Sequence, residues 1–183
     1  FIEVYGADTF RCYLMFMGPF DEGGDWNDKG IKGIYRFLNK SYNLILKDSN
    51  DHISDESHYI FNATIKKVTD DLENMKFNTA LSSLMEFVNY FQKNNINNEI
   101  KTAFIQLLSP FAPHISEEMW EVLNNKDSVF LSSWPTYDKS KLVKDKINIV
   151  VQVNGKLRGK IYVSTEDTKD KILEEAKLND NVK

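Results

Sequence analysis

Apolar residues recur at helical spacing through most of the chain and switch to alternation near its end. Ile31, Ile34, Tyr35, Leu38, Tyr42, Ile45 and Leu46 make one stripe. Their period predicts an amphipathic helix. Phe61, Ile65, Val68, Leu72 and Met75 come next at separations of 4, 3, 4 and 3, a seam suited to packing against neighbouring helices. Phe77, Leu81, Leu84, Val88 and Phe91 repeat it, as do Ile100, Phe104, Leu107, Leu108 and Phe111. Ile115, Met119, Trp120 and Leu123 predict a short sixth helix, and a first helix is expected from about Ala7 to Met17. Each stripe covers one face only, so the helices must bury those faces against one another.

The punctuation agrees with this reading. Gly18-Pro19 stops the first helix, because proline lacks an amide donor and restricts the residue before it. Residues 21–26 read as a loop, Asn27 as an N-cap and Ser54 as a further helix start. Asn94-Asn95 ends the fourth striped segment, and Pro110 and Pro113 break the fifth. Short connectors imply an antiparallel bundle over residues 1–133. Residues 134–146 turn polar and read as a linker.

From residue 147 the period becomes two. Ile147, Ile149, Val151 and Val153 alternate with Asn148, Val150 and Gln152, and Lys156 to Ile161 makes a second strand. If Asn154-Gly155 were a two-residue loop, Val153 would face Lys156 and the cations would share the aliphatic face. A three-residue loop, Val153-Asn154-Gly155, instead pairs Val151 with Leu157 and Ile147 with Ile161. It gathers Gln152, Lys156, Arg158 and Lys160 on the other face, and this register is expected because burying unpaired cations is costly. Residues 166–178 read as a helix with Ile172, Leu173 and Ala176 inward. The expected fold is mainly α: an antiparallel helical bundle, then a small, incomplete α+β module over 147–183.

Composition narrows the function classes. The chain has 183 residues, 42% of them hydrophobic and 13% aromatic, enough for a real core. Its single cysteine, Cys12, allows no internal disulfide and fits a reducing compartment. His52, His58 and His114 are far apart in sequence, which argues against zinc. The longest apolar run, Cys12 to Met17, is far short of the roughly 20 residues of a membrane span. The first residue is Phe1 and the last is Lys183, and the chain reads as a piece excised from a longer protein.

Net charge is −4, yet no acidic residue occurs from Ile147 to Thr165. Cations concentrated on one element of an acidic chain suggest a polyanionic partner, and nucleic acid is the reading preferred. Lys156, Arg158, Lys160 and Gln152 are the first candidates for that contact, with Arg36 and Lys40 on the second striped helix beside Lys47. Bland roles suit the remaining residues better. Trp120 and Trp134 read as core and Trp26 as a cap over the core. His114 reads as a structural hydrogen-bond partner, Cys12 as an inert core thiol, and Asp70, Asp71 and Glu73 as a solvated helix face.

Several segments carry a family resemblance. Tyr5-Gly6-Ala7-Asp8-Thr9-Phe10-Arg11 with Met15-Phe16-Met17-Gly18-Pro19 resembles the segment after the KMSKS loop of bacterial-type leucyl-tRNA synthetases. Phe77-Asn78-Thr79-Ala80 resembles a helix start in the same enzymes. Leu108 to Trp120 is similar to their LLxPFAPHxxEExW stretch. Ser133-Trp134-Pro135 resembles the segment that those enzymes carry after it. Val151-Gln152-Val153-Asn154-Gly155-Lys156-Leu157-Arg158 resembles the opening of their C-terminal domain, and all these segments stand in the same order as in the family. The PFAPH element is shared with isoleucyl, valyl and methionyl enzymes; the ordered combination points to leucine.

The resemblance implies an anticodon-binding-type helical domain and the start of a C-terminal domain, from a cytoplasmic, monomeric ATP-dependent leucine–tRNA ligase. It implies leucine tRNA as partner and no catalytic residue, cofactor or metal in this piece. ATP and Mg would belong to the parent enzyme's catalytic domain, whose HIGH and KMSKS motifs do not occur here. The alternatives are the same region of an isoleucyl or valyl enzyme, or a helical protein-interaction module.

Overall fold

The computed structural model describes residues 1–19, 21–142, 146–153, 156–164 and 167–178; within the strands, the side chains of 146–148, 153, 156, 157, 160, 162 and 164 are not described. The described residues are mostly helical, with one two-stranded antiparallel sheet near the C-terminus. The helices are α1 (Ile2–Tyr5), α2 (Ala7–Phe16), α3 (Asp28–Leu46), α4 (Asp55–Glu73), α5 (Phe77–Phe91), α6 (Asn98–Leu108), α7 (Pro113–Val122) and α8 (Lys169–Leu178). Strands β1 (Lys146–Val153) and β2 (Lys156–Ser164) precede α8. The chain divides into two units, Phe1–Lys141 and Leu142–Lys183.

Side-chain caps fix several helix starts. Asn27 accepts from the Lys29 amide, Ser54 from Ser57 and Asn97 from Ile100, each satisfying an amide that the helix cannot. Pro113 occupies the first turn of α7, where its missing donor costs nothing. The helical turn at 2–5 lacks a sequence signal. Gly6 separates it from α2 with φ 84°, a backbone angle that glycine adopts readily.

The core of the first unit is aliphatic and aromatic. Ile31 and Ile34 of α3, Ile65 and Val68 of α4, Leu81, Leu84, Phe87 and Phe91 of α5, Ile100 and Phe104 of α6, and Met119 of α7 are all buried. Helix α5 packs against α2, α3 and α4. The Phe87 and Phe104 rings stack at 5.1 Å between centroids, a geometry favoured by the ring quadrupoles.

The structure turns some stripes from their expected direction. On α3, Tyr35 and Leu46 are exposed while Phe37, Ser41 and Leu44 are buried. Ser41 donates to the Phe37 carbonyl at 2.9 Å, so its hydroxyl needs no water. Met75 lies beyond the end of α4 and is exposed. Asp71 does not belong to a solvated face: it is buried and accepts from Thr79 Oγ1 of α5 at 2.7 Å and from Lys67 at 2.5 Å.

Nor is Trp134 a core residue. It is 38% exposed, and its indole donates to Thr69 Oγ1 of α4 at 2.9 Å. Asn62 of α4 accepts from the Asp138 amide at 2.7 Å. Gln106 of α6 donates to Ser133 O at 2.9 Å. Residues 133–138, part of which read as linker, are therefore fastened to the helical unit. Trp120 is buried as expected, and Trp26 covers an aromatic group of Phe1, Phe10 and Tyr13.

In the second unit β1 and β2 pair antiparallel and α8 packs against β2. Ile161 and Val163 are buried and Ile149 is half-buried. On α8, Ile172 and Ala176 are half-buried, but Leu173, expected inward, is 47% exposed.

Candidate nucleic-acid interface

The hairpin register differs from the expected one. Val153 pairs with Lys156 and Gln152 with Leu157; beyond a bulge, Val151 pairs with Gly159, Val150 with Lys160 and Ile149 with Ile161. Asn154 and Gly155, on which the loop reading turned, lie outside the described residues. The extra residue of the bulge is Arg158, which is exposed. Side chains alternate along a strand, and a bulge reverses the alternation on one side of it. Past the bulge this aligns Ile149 with Ile161 and Ile147 with Val163. It also sets positions 156 and 160 at opposite parity, one paired with Val153 and the other with Val150.

The single face of Gln152, Lys156, Arg158 and Lys160 is therefore not formed. What the register supports is a smaller group: Gln152 and Val150 are exposed at one parity, position 160 shares that parity, and Arg158 stands at the bulge. The sheet's other parity carries the buried Ile161 and Val163.

In the first unit, Arg36 and Lys40 sit about one turn apart on α3, and both are exposed. Lys40 donates to Asn89 of α5 at 3.3 Å. Lys47 has a different task. Its ammonium donates to the carbonyls of Phe91, at 3.1 Å, and Asn94, at 2.6 Å, at the C-terminal end of α5. Lys101, almost wholly buried, donates to the carbonyl of Lys47 at the end of α3. Cations at helix C-termini meet unpaired carbonyls and the negative end of the dipole. Burial holds the Lys101 ammonium below its ordinary pKa; nearby Asp48 opposes that and Lys47 adds to it. Sequence reading missed Lys101, since it is a single lysine inside an apolar stripe.

Asp8 of α2 ties two helices together. Its Oδ2 accepts from the Ile115 amide at 2.7 Å, and its Oδ1 lies 2.7 Å from His114 Nδ1. Ala112 gives α7 no side-chain cap, so Asp8 supplies one from another helix. A carboxylate can only accept, so the Nδ1 of His114 carries the proton. His114 is thus a structural hydrogen-bond partner, as expected. A cleft of about 400 Å³ lies beside the pair, lined by Tyr5, Thr9, Tyr35, Asn39 and His114 among others. Cys12 is fully buried, and burial, with Asp8 nearby, pushes its thiol up to about 12 against the opposing charge of Arg11. Such a thiol is inert at neutral pH. Among the described residues, no group of three or more His, Cys, Asp or Glu is placed to hold a metal ion, and no helix is long and apolar enough to cross a membrane.

Residues 56–173 match the family model described as the anticodon-binding domain of tRNA ligase. The chain belongs to this family of tRNA-ligase domains. The matched span runs from the first turn of α4 into α8, so it takes in both units, and it favours the tRNA-ligase reading over a general protein-interaction module. Among solved structures, the chain is similar to a crystal structure of the ternary complex of Agrobacterium radiobacter K84 agnB2 LeuRS with tRNA and LeuAMS. Identity is 25% and the TM-score is 0.73, over 99% of this chain and 26% of that one. The chain thus spans about a quarter of the protein that it matches, and the likeness includes α2 and α3, which precede the family match.

Proposed function

We propose that this chain is the tRNA-binding region of a leucyl-tRNA synthetase, the ATP-dependent ligase that joins leucine to its tRNA. The observation that supports the reading is that 99% of this chain is similar to about a quarter of a leucyl enzyme in complex with tRNA. The ordered motifs from Tyr5 to Arg158 support it independently and favour leucine over isoleucine or valine. The region holds and positions the tRNA. Activation of leucine takes place in a catalytic domain outside this chain, where ATP and Mg bind. No residue here is catalytic and none holds a cofactor. The parent enzyme is cytoplasmic and acts as a monomer.

The contacts we assign are Arg36 and Lys40 on α3, and Arg158, Gln152 and Lys160 on the hairpin; Lys156, at the opposite parity, is left out. Cations facing phosphates release condensed counterions, so affinity falls steeply as salt rises. A folded RNA is recognised largely by its shape and backbone, which suits cations such as Arg36, Lys40 and Arg158, all exposed. Binding at these places orients the acceptor end toward a distant site, and the chain contributes to catalysis by positioning. The test is an anisotropy titration of the full-length protein with a leucine tRNA transcript across a salt series. Salt-sensitive binding, weakened when Arg36 and Arg158 become glutamine, is the expected result. Binding indifferent to salt, or none, overturns the proposal.

A further inference from the structure

Helix α3 carries more than the two cations named above. Lys29, Lys32, Arg36 and Lys40 recur at separations of 3, 4 and 4, and all are exposed. At 100° per residue they fall within an arc of about 80°, opposite the buried Ile31, Ile34, Leu38 and Ile45. No acidic residue occurs from Lys29 to Lys47, although the chain as a whole is acidic. Among the described residues the ion pairs are Lys66–Asp70, Lys67–Asp71, His114–Asp8 and Lys171–Asp167, so none of the four is neutralised there. The stripe extends about 16 Å along the helix axis.

A second observation falls on the same face. Helix α3 has two interior glycines, in a setting where glycine is the poorest residue after proline. Gly30 has a packing reason: a Cβ there would meet the Tyr13 ring at 2.7 Å. Gly33 has none, because a Cβ there would meet nothing within 4 Å. Nor does its backbone require glycine, since it lies within α3 and is not among the glycines of positive φ. By helical spacing it sits beside Lys29, Arg36 and Lys40. A bare stretch of backbone amid four cations that form no ion pair among the described residues fits the close approach of something outside the chain.

We propose that a sugar–phosphate strand of the tRNA lies directly against α3 over Gly33, held by Lys29, Lys32, Arg36 and Lys40. This rests on the tRNA-binding reading and extends it to a named surface and to two further cations. Lys29 and Lys32 would grip phosphates, while Gly33 leaves the room that lets the strand come close enough for the lysine stems and the arginine fork to reach it together.

The experiment compares wild type, Gly33→Ala, Gly33→Gln and Lys29→Gln/Lys32→Gln in the full-length protein. Each is melted, and each is titrated with a leucine tRNA transcript over a salt series. Gly33→Ala and Gly33→Gln should melt at or above the wild-type temperature, since both are better helix formers with open space around them. Gly33→Gln should nonetheless bind tRNA at least tenfold more weakly. The double lysine variant should lose about two from the slope of log K against log salt. Wild-type affinity and slope in all variants would overturn this proposal while leaving the tRNA-binding reading intact; that is also the result expected if an acidic protein covers the stripe. A wild-type protein that binds no tRNA overturns both. Any glycine variant that melts early is replaced by Gly33→Ser, which must show the same loss of affinity.

Discussion

Replacing Asp8 separates two contacts that look equal in length and are unequal in worth. Its Oδ1 meets His114, whose side chain is 76% exposed, while the Asp8 side chain itself is only 10% exposed. An ion pair or charged hydrogen bond with one partner in water is worth at most about 1 kcal/mol. The other oxygen receives the Ile115 amide in the first turn of α7, a donor that no residue of its own helix end satisfies. A hydrogen bond to a charged group contributes about 1.5–3 kcal/mol, and loss of an N-cap costs about 1 kcal/mol; these overlap and do not add. Asp8→Ala should therefore cost about 2–3 kcal/mol, or roughly 5–10 °C of melting temperature for a domain of this size. His114→Ala should cost less than about 1 kcal/mol. Asp8→Asn keeps an oxygen for the amide and should fall between them, near 1 kcal/mol. Urea and thermal melts of the three variants measure the order. If His114→Ala loses as much as Asp8→Ala, the cap is not what Asp8 supplies and the reasoning fails.

Two further outcomes concern buried groups. Cys12, fully buried and with its thiol pushed up to about 12, should resist iodoacetamide in the native protein near neutral pH and react at once in urea; fast native labelling would contradict its place in the core. Lys101 titrates below its ordinary value of 10.5 in the folded state, so between those two values the unfolded chain binds more protons. Stability relative to Lys101→Met should then rise as pH is raised from neutral toward 10.5. A difference in urea midpoint that stays flat or falls over that window would show that burial does not govern the ammonium.

Much of the helical unit was legible because helix packing writes itself as a period. Asn27 and Ser54 announced their helices by side-chain chemistry, and Pro113 by the donor that it lacks. The turn of α3 was less legible. Ile31, Ile34, Leu38 and Ile45 serve equally a stripe that includes Tyr35 and Leu46 or one that includes Phe37 and Leu44. Packing of α2, α5 and α7 on α3 selects the second, and α5 and α7 are distant in sequence. Asp71 looked like its exposed neighbours because Thr79, which meets it, comes from the next helix.

The hairpin was misread for a more instructive reason. Loop length alone does not decide the register, because the structure corrects the alternation with a bulge at Arg158. Gly159, directly after it, was the available signal, since a glycine inside a strand often marks a bulge. Burying cations is costly whichever loop forms, but a bulge separates aliphatic from cationic positions only beyond the point where it occurs. Position 156, between bulge and loop, keeps the parity of Val153. The interface we propose therefore rests on Arg158, which is exposed, and on α3, not on one cationic sheet face.

The central claim is that this chain places tRNA while the chemistry occurs elsewhere in the parent enzyme. The most direct measurement compares two half-reactions of the full-length enzyme carrying Arg36→Gln, Lys40→Gln and Arg158→Gln: leucine-dependent ATP–pyrophosphate exchange, and transfer of leucine to tRNA at subsaturating tRNA. Three exposed phosphate contacts at roughly 0.5 kcal/mol each predict about a tenfold loss of transfer efficiency, with exchange unchanged. Equal loss of both half-reactions, or loss of neither, would contradict the account.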